Sequence, residues 1–316
     1  GHLEYYTGTH WADVIVNNQE LDGGHRGLLH SGYLPPSTYV NTIEYLTIST
    51  LGNTIDFGDS TQQRSQSRGL ASRTRGVFAG GVQPGSTYNI IDFVTISSTG
   101  DAQNFGDLNA GSNGQGEQRT GSSNQTRGLF NGGYTLRNAI DYITIASTGD
   151  AQDFGDLTLA RWGNQSVNSP IRSVVASGNN PGSPSAASVT IDYTTISTTG
   201  NAQDFGDLST GTGRAGRQGA CNSTRGIFGG ANTLDFITIA TLGDAQDFGD
   251  VSVSLAEKSA SSPTRGVFIG GFSSPAAINA MEFVTMSSTG NASDFGDLTT
   301  NAIQQGSCSN GHGGLS

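Results

Sequence analysis

The chain has 316 residues, 47 of them glycine, a charged fraction of only 13% and a formal net charge of −11. That balance excludes a nucleic-acid binder, which needs clustered Lys and Arg on the phosphates, and argues equally against an anionic membrane surface. No run of about 18 apolar residues occurs, so no segment reads as a membrane-spanning helix.

Residues 1–23 read as a unit of their own. In LEYYTGTHWADV, the aromatics Tyr5, Tyr6 and Trp11 flank a Thr-Gly-Thr turn, which predicts a small hairpin. A charged n-region followed by an apolar h-region is lacking, so this is not a signal peptide. The first residue is Gly rather than Met, and we expect the chain to be a trimmed piece of something longer.

From residue 24 onward the sequence repeats. Arg26, Arg75, Arg127, Arg172, Arg225 and Arg265 open equivalent segments, and His312 falls in the matching slot of the C-terminal GHGGLS. The unit is about 48 residues long, a propeller-type period. Each unit begins with an apolar run such as TRGVFAGG, which fits a buried strand ending in paired glycines. NIIDFVTIS follows, β-branched and aromatic, and predicts a second strand. A turn of the type Ser-Thr-Gly-Asp comes next, with Asn53, Asp101, Asp150, Asn201, Asp244 or Asn291 after its glycine. Gly followed by Asn or Asp suits a tight hairpin with positive φ. DFGDL then returns as a short strand, and a variable polar stretch leads into the next unit. No stretch carries a helical period.

The expected fold is therefore all-β: a six-bladed β-propeller over residues 24–316 with four strands per blade. The first unit lacks the polar strand that should precede HRGLLHSGY. Residues 303–310 supply one, so the C-terminal strand is expected to complete the N-terminal blade and remove a free edge. Seven blades remain an alternative if residues 1–23 contribute strands.

Asp153-Phe154-Gly155 matches the magnesium-binding triplet of protein kinases. The same DFGD recurs at Asp56, Asp204, Asp247 and Asp294, with NFGD at Asn104, and no His-Arg-Asp accompanies it. A ligand needed once does not recur in every repeat, so the triplet is a structural signature. The acids of one such segment, Asp150, Asp153 and Asp156, are nevertheless a candidate calcium triplet. Turn and strand-end hydrogen bonding is the alternative for the same three residues.

The six repeat arginines match in number six acids of the following strand: Glu44, Asp92, Asp141, Asp192, Asp235 and Glu282. A repeated Arg–carboxylate pair between neighbouring strands or blades is expected. Cys221 and Cys308 fall in the same slot of two different blades, too far apart for a disulfide, and are expected to be free, buried thiols. The five histidines show no HxH or HExxH spacing, and no G-x-S-x-G elbow occurs. No cofactor is implied, and the chain is not expected to be an enzyme. The variable stretches 111–124 and 179–188 differ between blades, and loops on a rigid scaffold commonly carry binding residues. Tyr134, Arg161 and Trp162 are candidate ligand contacts able to stack on sugar rings; burial in the core is the competing role for each.

In order, VFAGG, IDFVTIS, DFGDL and the polar stretch resemble the units of kelch β-propellers. The likeness departs in detail: Phe of DFGD stands where kelch units carry Trp, and Arg-Gly opens the Gly-Gly strand. LEYYTGTHWADV resembles a short segment of bacteriophage tail-fibre and other appendage proteins. TRGLFNGG, IDYITIASTGDAQDFGDL and SNGHGGLS are similar to kelch-like repeats of marine and cyanobacterial phage structural proteins. This resemblance implies a virion protein, exposed on the outside of the particle. It would join other virion proteins through residues 1–23 and attach to a host surface glycan or receptor, or decorate the particle. Phage fibres of this kind are usually homotrimers, although the sequence shows no coiled coil. A cellular kelch-like lectin or protein-interaction module is the alternative.

Overall fold

The computed structural model describes residues 4–6, 11–13, 25–109, 116–134, 137–180, 183–209, 218–230, 232–252, 257–273 and 276–315. Six four-stranded antiparallel sheets form the blades of a propeller. The second blade shows the pattern: an inner strand Arg68–Ala71, a second strand Arg75–Ala79, a third Ile90–Thr95 and an outer strand Gln103–Asp107. Inner strands lie beside those of both neighbouring blades and close a ring around the axis. In the first blade the inner place is taken by Gly306–Ser309, which pairs with Gly27–His30. The C-terminal closure expected from the sequence is therefore present. The predicted N-terminal hairpin also forms, pairing Glu4–Tyr6 with Trp11–Asp13; it adds no strand to any blade, and the count is six.

Burial falls outward along every blade. Inner strands are buried except at Gly121, whereas outer strands bury only their Phe. Second strands bury both faces, because each blade is covered by a neighbour on either side. The apolar core is thus not one cluster but six, one at each seam. At the first seam, for example, Leu28, Ile43 and Phe57 of one blade meet Phe78, Val94 and Ile96 of the next. Fully burying side chains of this size stabilises by roughly 1.5–3 kcal/mol each.

The DFGD motif is explained by the outer rim. Its Phe enters the seam and packs edge-on against the third-strand aromatic of its own blade, as in Phe93–Phe105 and Tyr193–Phe205. Its Gly, at φ near 145° in Gly155, lets the next blade's turn approach: a Cβ there would stand 2.5 Å from Gly200 O. The amide of its final Asp donates to the turn residue of the following blade. Asp59→Asp101, Asp107→Asp150, Asp156→Asn201, Asp207→Asp244, Asp250→Asn291 and Asp297→Asn53 complete the circle at 2.9–3.1 Å. Main-chain bonds such as Gly200 N→Phe154 O and Ala202 N→Asp156 O flank each of these contacts.

The antiparallel order gives the ring two different faces. Loops between second and third strands, and the linkers between blades, emerge on one face. The short turns emerge on the other. The sequence stretches that vary from blade to blade all belong to the first, which is called the loop face below.

Gly155→Ala should destabilise the fold by about 2 kcal/mol or more, because neither backbone can retreat. Gly149→Ala shares the positive φ but would meet nothing within 4 Å, so its cost is strain alone. Thermal unfolding of the two variants should place Gly155→Ala clearly lower; equal midpoints would contradict the close-approach account.

Candidate binding site

The expected arginine–acid pairs do not form, and the register explains why. Arg75 lies opposite Thr95, while Asp92 lies opposite Phe78. Three residues of offset separate the two by roughly 10 Å along the strand and put them on opposite faces of the sheet. Arg26, Arg75, Arg127, Arg172, Arg225 and Arg265 instead stack on Tyr45, Phe93, Tyr142, Tyr193, Phe236 and Phe283, with guanidinium carbons 4.6–4.8 Å from the ring centroids. Each then donates Nη1 to a main-chain carbonyl of the following blade: Ile96, Ile145, Ile196, Ile239, Met286 and Ile48, at 2.7–3.1 Å. The ring of arginines sits on the turn face, remote from the loops.

Five of the six acids serve the linkers of the loop face, and Glu44 serves the residue before its own blade's outer strand. Glu44 accepts from Thr54, Asp235 from Ser209 and Glu282 from Ser252. Asp92 and Asp192 accept from Thr61 and Thr158. Among the described residues, linker arginines whose pairing was not expected from the sequence meet three of the acids; Arg64 and Arg161 hold the same position four residues before an inner strand, whereas Arg119 directly precedes one. Arg64 Nη2 reaches Asp92 and Arg161 Nη2 reaches Asp192, both at 2.9 Å, and Arg119 meets Asp141. Burial alone would raise the Asp92 carboxyl, but the adjacent imidazole of His30 and the charge of Arg64 outweigh it and hold the group well below the usual carboxylate range.

Arg161 is therefore not a ligand contact. It is 0% exposed and committed to Asp192, Thr190 O and Val175 O. Tyr134 and Trp162 do come together. They belong to different blades, yet their rings meet edge-to-face at 5.6 Å on the loop face, with Tyr134 42% exposed. Backbone bonds fix both: Tyr134 N donates to Glu117 O, and Trp162 exchanges bonds with Asn179. Of the variable stretches, residues 111–115 and 181–182 lie outside the described residues.

Asp150, Asp153 and Asp156 do not converge. Asp150 turns to the amide of Asp107 in the preceding blade, Asp153 is exposed, and the Asp156 backbone serves the following blade. Among the described residues no three His, Cys, Asp or Glu side chains form a metal-sized cluster. A Ser67–His30–Asp92 sequence does occur, with Ser67 Oγ 3.1 Å from Nδ1 and Asp92 Oδ2 3.5 Å from Nε2. All three are buried at a seam, His30 is stacked on Phe78, and Asp92 is paired with Arg64. The arrangement is a buried ionic core.

The two cysteines are free and buried, but they are not equivalent. Cys221 lies opposite Gly226, one residue past its blade's arginine; in the first blade that place belongs to Ser309, opposite Gly27. Both border the axial cavity and a seam, but the single-residue offset turns them to opposite sides of their blades: Cys221 faces Val167 and Asn168 of the preceding blade, and Cys308 faces Phe78 of the following one. Burial pushes both thiols up.

The axis is closed at the turn face by residues 310–315. Here His312 Nε2 donates to Ala71 O at 2.9 Å, while Nδ1 accepts from Asn168 Nδ2 and Gly314 N at 2.9 and 3.1 Å. These partners select the neutral ring protonated on Nε2. Arg73 Nη2 donates to Leu315 O at 2.6 Å. The remaining axial cavity is about 40 Å³ and lined largely by serines, among them Ser123, Ser261 and Ser309. That is room for a few waters at most. Their hydroxyls bond the backbone of the adjoining inner strand, as Ser261 N→Ser309 Oγ and Cys221 N→Ser261 Oγ show.

Compared with known proteins, the chain matches no family model and no curated sequence.

Two outcomes follow from these contacts. Arg161→Ala leaves Asp192 buried without its cation and should cost about 3–5 kcal/mol in urea unfolding. Burial lowers His30 and His312 to about 4. The unfolded chain, with histidines near 6.5, therefore binds more protons between these values. Stability should be full above pH 6.5 and fall as pH drops toward 4. Urea midpoints at pH 7 and pH 4.5 measure this, and His312→Gln should reduce the difference between them.

Proposed function

We propose that this protein is a non-enzymatic binding module, the propeller of a phage appendage that attaches to a host surface glycan or receptor. The observation that carries the binding role is the Tyr134–Trp162 pair, presented on the loop face of the ring. Aromatic rings with one side open and a polar surround suit the apolar face of a sugar. The phage assignment is supported by the sequence resemblance of the N-terminal segment and the repeats. In this reading, residues 1–23 join the propeller to other virion proteins, and the loop face points away from the particle. Repeated copies on a particle would raise weak single-site affinity by avidity.

Immunogold electron microscopy of virions from the source culture, with an antibody against residues 24–316, tests the assignment. Label at tail or fibre ends is the expected result. Label over the capsid would make the protein a decoration. Particles without label would overturn the phage reading in favour of a cellular kelch-like module.

A further inference from the structure

The loop-face mouth of the axis carries a second ordered array beside the aromatic pair. Gln66, Gln118 and Gln304 each stand two residues before an inner strand, and all three adopt positive φ, at 60°, 55° and 58°. Such backbone is uncommon for a residue other than Gly, Asn or Asp and flags a site held by its surroundings. The three form a ladder around the mouth. Gln66 N donates to Gln304 O and Gln118 N to Gln66 O, and the side chains repeat the pattern: Gln118 Nε2→Gln66 Oε1 at 2.7 Å and Gln66 Nε2→Gln304 Oε1 at 3.4 Å.

Gly163 occupies the fourth place. Its amide donates to Gln118 O at 2.9 Å, continuing the backbone ladder, but it brings no side chain to continue the amide one. The half-exposed Gln118 Oε1 is thus the open acceptor at the end of the series. The aromatic pair is bound to the same point. Trp162 precedes Gly163, and Tyr134 N donates to the carbonyl of Glu117, the residue before Gln118. Backbone hydrogen bonds therefore tie Glu117 and Gln118 to Tyr134 and to Gly163, the neighbour of Trp162.

We propose that this corner binds an N-acetylated hexose: the acetamido N–H donates to Gln118 Oε1 as the next rung of the ladder, and the pyranose ring lies on Trp162 and Tyr134. A planar amide is the group that Gln66 and Gln304 already accommodate at the preceding rungs. The inference rests on the loop face being a binding surface, and it specifies what that surface reads.

The test compares chitotriose with cellotriose, which differ in the acetamido or hydroxyl group at C2. The full chain carries Trp11→Phe so that fluorescence reports Trp162, and calorimetry gives Kd independently. Chitotriose should bind at least tenfold more tightly than cellotriose. Gln118→Asn, which tolerates the positive φ and withdraws the amide by one methylene, should reduce that preference below threefold. Trp162→Ala should weaken both sugars together. Equal binding of the two sugars, or a preference that Gln118→Asn leaves unchanged, overturns the acetamido site while leaving a sugar-binding face in place. Binding of neither sugar to the wild type overturns it as well, and immunogold labelling of virions then judges the attachment role separately.

Discussion

The close approach of each outer strand to the next blade's turn is the constraint on which the ring depends. It joins two backbones with no side chain between them, and it does so at every seam. A glycine at the contact point and an Asn or Asp in the turn are its only chemical requirements. The outer strand, which buries little beyond one Phe, would otherwise be a free edge open to pairing with other chains. Here the next blade's turn covers its end, and the apolar seam behind it is sealed from water.

Charge is distributed to match. On the turn face, each repeat arginine spreads its guanidinium over an aromatic ring of its own blade and reaches a carbonyl of the next. One residue so adds a cation–π contact and an inter-blade hydrogen bond, without requiring a buried carboxylate. On the loop face the linkers differ in length and composition, and acids of the third strands tie most of them down. Arg161 does so through a buried ion pair with Asp192, and Ser209 and Ser252 donate hydroxyl and amide to Asp235 and Glu282. The periodic face therefore fixes the ring, and the aperiodic one is free to differ from blade to blade. A ring built this way leaves its variation to the loop face, where Tyr134, Trp162 and the glutamine ladder are found.

Much of the fold was legible in the residues themselves. Period, strand order, the hairpin turns and the closing strand all leave local signatures, because each depends on neighbours in sequence or on the next copy of the same pattern. The partner of each charged group left none. Arg75 and Asp92 share a period and seem matched in number, yet a three-residue offset across an antiparallel pair sends them to opposite sides of the sheet. Cys221 and Cys308 share a sequence context, yet one residue of register sends one thiol to the preceding blade and the other to the following blade.

The sequence by itself determined that this is a ring of six like blades, since repetition and alternation are properties of the chain and closure follows from counting strands. Only the tertiary structure decided which side chains meet across blades. Arg161 reads like an exposed neighbour of Trp162, but it is drawn inward by Asp192, thirty-one positions along the chain. Tyr134 follows the paired glycines of one blade, Trp162 lies in the linker that leads to the next, and the packing of the two blades brings them together. Such contacts depend on linker paths that no period specifies, so they are fixed by burial and hydrogen bonding in the assembled ring.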